Sequence, residues 1–426
     1  MPELLGFTGI ALVALLTLLL ALRWPMAGKL LVVALAVRVA AILFGYFVAP
    51  LPDSGADARS FERLAWVWSQ GGFFEALGHF TGPHSYFISW ILAVLYSLTD
   101  RSLLMAQSVS LLFGMGTVFM GWLLARKLWG DRVATKAGWV LALFPTLILY
   151  SALTMREAYI WFFLVVALYG VVVWARSGGL KPIALAMVGF TGATFFHGAM
   201  IVGALMFLLV IGFSALARTL KALSRSRVHL LSIVLVSVAA IGGGLFVSGA
   251  ISVPKLGDFE RATDIERIML ITARNTRGSG GEEGASYPQW TVPNSPVEIL
   301  YKGPIRAAYF TFSPFPWDVR SARHLIGLFD GLLYMALVFL IWRNRKAIWA
   351  DRASRTIVLI LGAYLLVFGL AIGNFGTGIR HRAKFVAALI VLAAPLLPKL
   401  VLFRGVRRAH CGVAINQSDD QKVDSN

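Results

Sequence analysis

Residues 29–68 read KLLVVALAVRVAAILFGYFVAPLPDSGADARSFERLAWVW. The first part, 29–49, is an apolar run of spanning length with one charge, Arg38, near its middle. About 20 mostly apolar residues suffice to cross the hydrocarbon core. The chain then turns polar, and from Asp57 the apolar positions Phe61, Leu64, Ala65 and Trp68 recur at helical spacing. This predicts an amphipathic helix lying on a bundle, with Ser54 or Asp57 as its N-cap and Trp66 and Trp68 in the headgroup layer. Charged residues at the rim of an apolar bundle are expensive. Asp57 therefore reads either as a helix cap or as a carboxylate facing a headgroup or an acceptor hydroxyl.

Working outward, similar apolar runs recur along the chain. Candidate spans are 4–22, 29–49, 103–125, 136–153, 158–175, 182–196, 198–214, 229–250, 323–342, 355–373 and 384–402, eleven in all. With 58% hydrophobic and only 14% charged residues over 426 positions, the chain is expected to be an all-α polytopic membrane protein. The first run does not resemble a cleaved signal peptide: Met1-Pro2-Glu3 carries no Lys or Arg, and Arg23 and Lys29 follow the run. The one cysteine, Cys411, lies in the C-terminal tail, which excludes an internal disulfide. A net charge of +18 would suggest nucleic acid in a soluble protein, but here the positive-inside rule accounts for it.

Charge also sets the expected sidedness. The segment 85–98 is short and either crosses steeply or lies at the interface; the balance of loop charge favours the interface. One side of the membrane then carries 22 Lys and Arg against 5 Asp and Glu, and the other 16 against 15. That places the N-terminus outside and the C-terminus inside. A single membrane domain, 1–408, has two large outer loops, 50–102 and 251–322, and the polar tail 409–426 reads as disordered and cytoplasmic.

Several further residues stand out. Arg156-Glu157 lies where a span ends, either as a snorkelling pair or as part of a site. The second outer loop opens with a surface helix around 259–273, whose apolar residues include Ile265, Ile268, Met269 and Ile271. The Gly-rich stretch 277–286 reads as a lid or a plain flexible loop. In Ile305–Trp317 the prolines interrupt the helix, leaving an aromatic knuckle in which Phe315 and Trp317 either anchor at the interface or stack on a sugar. The last outer turn, 374–384, sets Arg380, His381 and Arg382 outward with no acid nearby in sequence. Arg380 and Arg382 suit a lipid phosphate, and His381 could join a site near neutral pH. Inside the spans, Arg38 and Asp330 each need a partner. They are expected to pair with each other or to line a polar cavity. His197 either caps a turn or lines the outer cleft. No zinc spacing, P-loop or serine-nucleophile elbow occurs.

Asp57-Ala58-Arg59-Ser60-Phe61, with Ala65 and Gly71-Gly72, resembles the first external loop of GT-C membrane glycosyltransferases. The branch it resembles contains the protein mannosyltransferases and the lipid A aminoarabinose transferase. Ala58 stands where that loop usually has Glu. The resemblance continues through Pro83-His84-Ser85-Tyr86, Ala125–Arg132, Phe144-Pro145, Tyr150-Ser151 and Arg156-Glu157, and thins beyond residue 180. It implies a GT-C-like fold in the bacterial inner membrane and transfer of a sugar from a polyprenyl-phosphate-type lipid to a glycan, lipid or protein at the outer face. By matching position Asp57 would be the general base. Glu157 would be a second carboxylate that assists the acceptor or, with Asp57, holds a divalent metal, and Arg156 a phosphate partner. Two other readings compete. An oligosaccharide repeat-unit polymerase would rely on Arg274, Arg277, Arg306, Arg380 and Arg382. A non-catalytic lipid-carrier transporter or scaffold would rely on Arg38 and Asp330.

Overall fold

The computed structural model describes residues 2–223, 264–277, 285–319 and 321–398, with isolated positions between 234 and 260. The expected span 229–250, the Gly-rich lid and the tail 409–426 fall wholly or mostly outside the described residues. Helices dominate, joined by short turns, with one isolated bridge, Ser286–Asn374. The chain is a multi-pass membrane protein. Among the described residues seven helices are long and apolar enough to cross a bilayer, and an eighth span results if one bent pair counts as one.

The N-terminal half comprises α1 (Pro2–Arg23), α2 (Pro25–Phe47), α3 (Ala56–Ser69), α4 (Phe73–Gly78), α5 (Phe87–Leu98), α6 (Leu103–Trp129), α7 (Asp131–Leu143), α8 (Pro145–Ser151), α9 (Glu157–Ser177), α10 (Leu180–Phe196) and α11 (Ile201–Leu223). Small residues bring α9 and α10 together. A Cβ on Gly189 would lie 2.4 Å from the Ala167 nitrogen, so only glycine allows this approach. Leucines along α1, including Leu12, Leu15, Leu19 and Leu22, remain exposed, as a lipid-facing surface requires. The expected amphipathic α3 forms, but its N-cap is Gly55 and no side chain caps it. Asp57 is therefore not the cap. It sits in the first turn, where a negative charge is favoured.

Helix α5 packs against α3 and α4, tied by Tyr96 to Glu62 and by Trp90 to the Leu77 carbonyl. Twelve residues reach about 18 Å at 1.5 Å per residue, well short of the ~30 Å core. The expected span 136–153 breaks by 56° between α7 and α8. Pro145 has no N–H to offer the Leu141 carbonyl. Arg38 fills that gap, donating to Leu141 O at 3.1 Å and Ala142 O at 2.7 Å. Arg38 thus serves as a cap for the end of α7, and the expected Arg38–Asp330 pair does not exist.

The C-terminal half comprises α12 (Ile265–Arg277), α13 (Pro296–Phe312), α14 (Ala322–Arg343), α15 (Arg345–Ala350), α16 (Arg352–Ala371), α17 (Phe375–Arg382) and α18 (Val386–Ala393). The described helix α12 runs Ile265–Arg277, and Glu260 before it is also helical. Its buried residues are Thr272 and Thr276. Thr272 and Asn275 donate to the Leu370 and Ala371 carbonyls at the end of α16, while Ile265, Leu270 and Ile271 stay exposed. The expected last span, 384–402, is not one continuous helix over its described part. Short 3-10 turns flank the eight-residue α18, every residue of which is buried. Protein rather than lipid surrounds it, which is why it is apolar on all faces.

Candidate functional site

The turns at one end of the bundle assemble the site. They are the α2–α3 loop, the α8–α9 turn, the α10–α11 junction and α17. Each begins or ends a helix, so each offers backbone groups that a helix interior has already used. Asn374 caps α17 by accepting from the Thr377 amide at 2.7 Å. The expected last outer turn is therefore a short helix with Arg380, His381 and Arg382 in its final turn, where the helix dipole favours cations. The segment 285–287 is pinned to it: Tyr287 N donates to Gly373 O at 2.8 Å and Phe375 N to Ala285 O at 3.0 Å.

Five sequence-predicted residues converge there. Arg380 Nη1 contacts Asp57 Oδ2 across 323 residues of sequence. Glu157 Oε1 accepts from Lys384 Nζ at 3.3 Å, with both side chains almost fully buried. Lys384 Nζ also lies 2.8 Å from His381 Nδ1. Arg156 stands over the Phe61 ring at 5.2 Å and donates to the Phe196 carbonyl at 3.3 Å. Beside them Tyr150 donates to Asp53 Oδ2 at 2.6 Å. His197, at the α10–α11 junction, brings its ring to 5.2 Å from that of His381. The enclosed position of His381, with Lys384, His197 and Arg380 close by, holds its pKa well below the ordinary 6.5. A neutral His381 can accept from the Lys384 ammonium, whereas a protonated one cannot.

Two atoms here have unused bonding capacity. Among the described residues Glu157 Oε2 and Arg380 Nε are shielded from solvent and have no hydrogen-bond partner. Buried polar atoms are normally paired, so a free acceptor and a free donor in one cluster suit a site that binds something. The cluster as a whole matches three carboxylates (Asp53, Asp57, Glu157) with three cations (Arg156, Arg380, Lys384). It does not fit a divalent ion. Asp57 and Glu157 each face a cation, and among the described residues no group of three or more His, Cys, Asp or Glu could hold a metal.

Other expected site residues lie elsewhere. Arg382 is 1% exposed and committed to the fold. It donates to Asp330 Oδ2 through Nε at 3.0 Å and Nη2 at 2.7 Å, and to the Ser313, Thr311 and Gly327 carbonyls. Thr146 donates to the other Asp330 oxygen at 2.7 Å. Asp330 therefore pairs with Arg382, and Arg382 has no face left for a phosphate. The α16–α17 linker is held by Arg306 of α13, which donates to Gly369 O, Ile372 O and Thr291 Oγ1. Phe315 and Trp317 stack on one another at 4.9 Å beside Tyr309. No ring contact among the described residues joins them to the cluster, and Trp317 is largely exposed.

Lys384 and Asp53 were not singled out from the sequence, and Tyr150 entered only as part of the resemblance. Lys384 carried a usable signal, since a charge at the start of an apolar run is costly unless it is paired. Asp53 carried none. No protein-family model matches the chain, and neither a curated protein nor a solved structure is significantly similar to it.

Proposed function

We propose that the chain is a membrane glycosyltransferase of the bacterial inner membrane. It moves a sugar from a polyprenyl-phosphate-type lipid to a hydroxyl on a glycan, lipid or protein at the outer face. The observation that carries this reading is the meeting of Asp57 with Arg380 beside Glu157 and Lys384.

Glycosyl transfer from a lipid phosphate needs a base at the acceptor and positive charge at the leaving group. Asp57 takes the proton of the acceptor hydroxyl. The hydroxyl oxygen attacks the anomeric carbon, the bond from that carbon to the phosphate oxygen breaks, and the lipid phosphate leaves with the electron pair. Arg380, with Nε unused, holds the phosphate, and Arg156 adds charge nearby. Phosphate binding draws Arg380 from Asp57, so the base is released when the donor arrives. Lys384 and His381 hold Glu157 in place, leaving Oε2 for a substrate hydroxyl.

The polymerase reading loses support, because two of its five arginines, Arg306 and Arg382, are committed within the fold. The scaffold reading loses support, because Arg38 bonds the carbonyls at the end of α7 and Asp330 pairs with Arg382.

The test is a surface-glycan gel with sugar analysis of a deletion strain complemented by wild type, Asp57→Asn or Arg380→Ala. The expected outcome is loss of one sugar on deletion, with both variants failing to restore it. Loss of a general base is expected to cost about 10²–10⁴-fold in rate. A ladder that collapses to a single repeat, restored by Asp57→Asn but not by Arg380→Ala, would replace this reading with the polymerase.

A further inference from the structure

The other end of the bundle gathers positive charge. Helix α11 leaves the cluster at the α10–α11 junction and α16 leads back to α17, so the end of α11 and the start of α16 lie far from the site. The 20 residues of α16 reach about 30 Å. The stretch 343–355, between α14 and α16, holds five Lys or Arg and one acid, Asp351. Asp351 caps α16, accepting from Ser354 N at 2.9 Å and from Ser354 Oγ at 2.6 Å.

Three arginines from two helices converge there. Helices α9 and α11 both pack against α16. Ile211 and Ala215 are buried, and Arg218 continues their face of α11 at helical spacing. Arg352 and Arg355 stand at the start of α16. Arg352 stacks on the buried Trp174 of α9, with its guanidinium carbon 4.5 Å from the ring centre. Arg218 and Arg355 are the charges that repel it. Among the described residues no carboxylate forms an ion pair with any of the three. The positive-inside bias accounts for a basic rim. It does not call for a guanidinium fixed on a buried indole within reach of two others. Like charges held together cost free energy that an anion offsets, and guanidinium forks match phosphate oxygens.

The surface beside them suits the rest of a lipid. Arg355, Leu359, Gly362 and Leu366 share one face of α16 by their spacing. Leu366 is exposed, and a Cβ placed on Gly362 would meet nothing within 4 Å. An open notch therefore lies roughly 10 Å along the helix from Arg355, within reach of an acyl chain.

We propose that this rim binds one anionic phospholipid. Arg218, Arg352 and Arg355 hold its phosphate, and an acyl chain lies along Leu359, Gly362 and Leu366. Basic pockets between spans hold anionic head groups in this way. The site does not depend on the transferase reading.

The test uses the purified full-length chain in a nonionic detergent. Phosphatidylglycerol is titrated while the thermal midpoint is followed, with phosphatidylcholine and glycerol 3-phosphate as controls. Native mass spectrometry counts the lipids retained. The expected result is saturable protection by phosphatidylglycerol, one lipid retained, and no protection by either control. Arg218→Gln should weaken the affinity about fivefold, as loss of one charge beside an anionic head group does. Its lipid-free midpoint should stay level or rise, because a repulsion has been removed. Gly362→Leu, which fills the notch, should also weaken binding. Lys346→Gln removes an equal charge elsewhere on the rim and should bind like wild type. The proposal is overturned if phosphatidylglycerol does not protect, or if phosphatidylcholine protects as well as it does. Protection by glycerol 3-phosphate would make this a site for a soluble phosphate instead. Equal weakening by Lys346→Gln and Arg218→Gln would reduce it to diffuse attraction. Wild-type binding by Arg218→Gln or Gly362→Leu, or a lowered lipid-free midpoint in Arg218→Gln, would also overturn it.

Discussion

Arg380 and Arg382 stand two residues apart on one short helix, yet their surroundings differ completely. Arg382 points into the bundle, where it has a carboxylate and three carbonyls around it. Arg380 points to the rim, with one carboxylate contact and a nitrogen unused. A two-residue offset turns a helical side chain through roughly 200°, enough to send one arginine to a structural pair and the other to a site. The contrast separates groups whose bonds are complete from groups that still have bonds to make. Only the second kind is available to a substrate.

The largest expected effect tests the structural half of that contrast. Arg382→Ala leaves Asp330 buried without its partner, and breaking such a pair costs about 3–5 kcal/mol. Unfolding in mixed micelles should show a loss of that size, and a stability within ~1 kcal/mol of wild type would undo the assignment. Next comes Glu157→Gln, which keeps the shape but leaves the Lys384 ammonium buried without an anion. A loss of about 1–3 kcal/mol is expected in the same assay.

A smaller effect depends on pH. His381 is neutral in the fold because its pKa lies well below 6.5. Below pH 6.5 the unfolded chain takes up a proton at this residue and the folded chain does not. Its stabilising contribution is therefore complete above 6.5 and is lost as pH falls from there toward the folded pKa. His381→Gln should flatten the acid side of a midpoint-against-pH curve, and an unchanged slope would mean that His381 does not titrate this way. The smallest stability effect belongs to Arg380→Ala, whose partly exposed pair with Asp57 should be worth no more than about 1 kcal/mol. A large destabilisation there would erase the distinction between the two arginines.

The membrane class and the amphipathic α3 were legible in the sequence, because each depends on apolar spacing along a single segment. So were five members of the cluster. Asp57, Arg156, Glu157, Arg380 and His381 each drew notice as a costly group at a helix end, and the fold brings all five together. Pairing was not legible. The proline that breaks α7 from α8 frees carbonyls for Arg38, and the direction of Arg382 then leaves Asp330 to it.

The sequence by itself determined that this chain is a helical membrane protein, since hydrophobicity and its period are local and add residue by residue. Only the tertiary structure decided which charges meet, which arginine is spent on the fold, and that 384–398 contributes a short buried helix rather than one continuous helix. A hydrogen bond or an ion pair depends on distances of a few ångströms between segments hundreds of residues apart, and those distances exist only once the helices have packed.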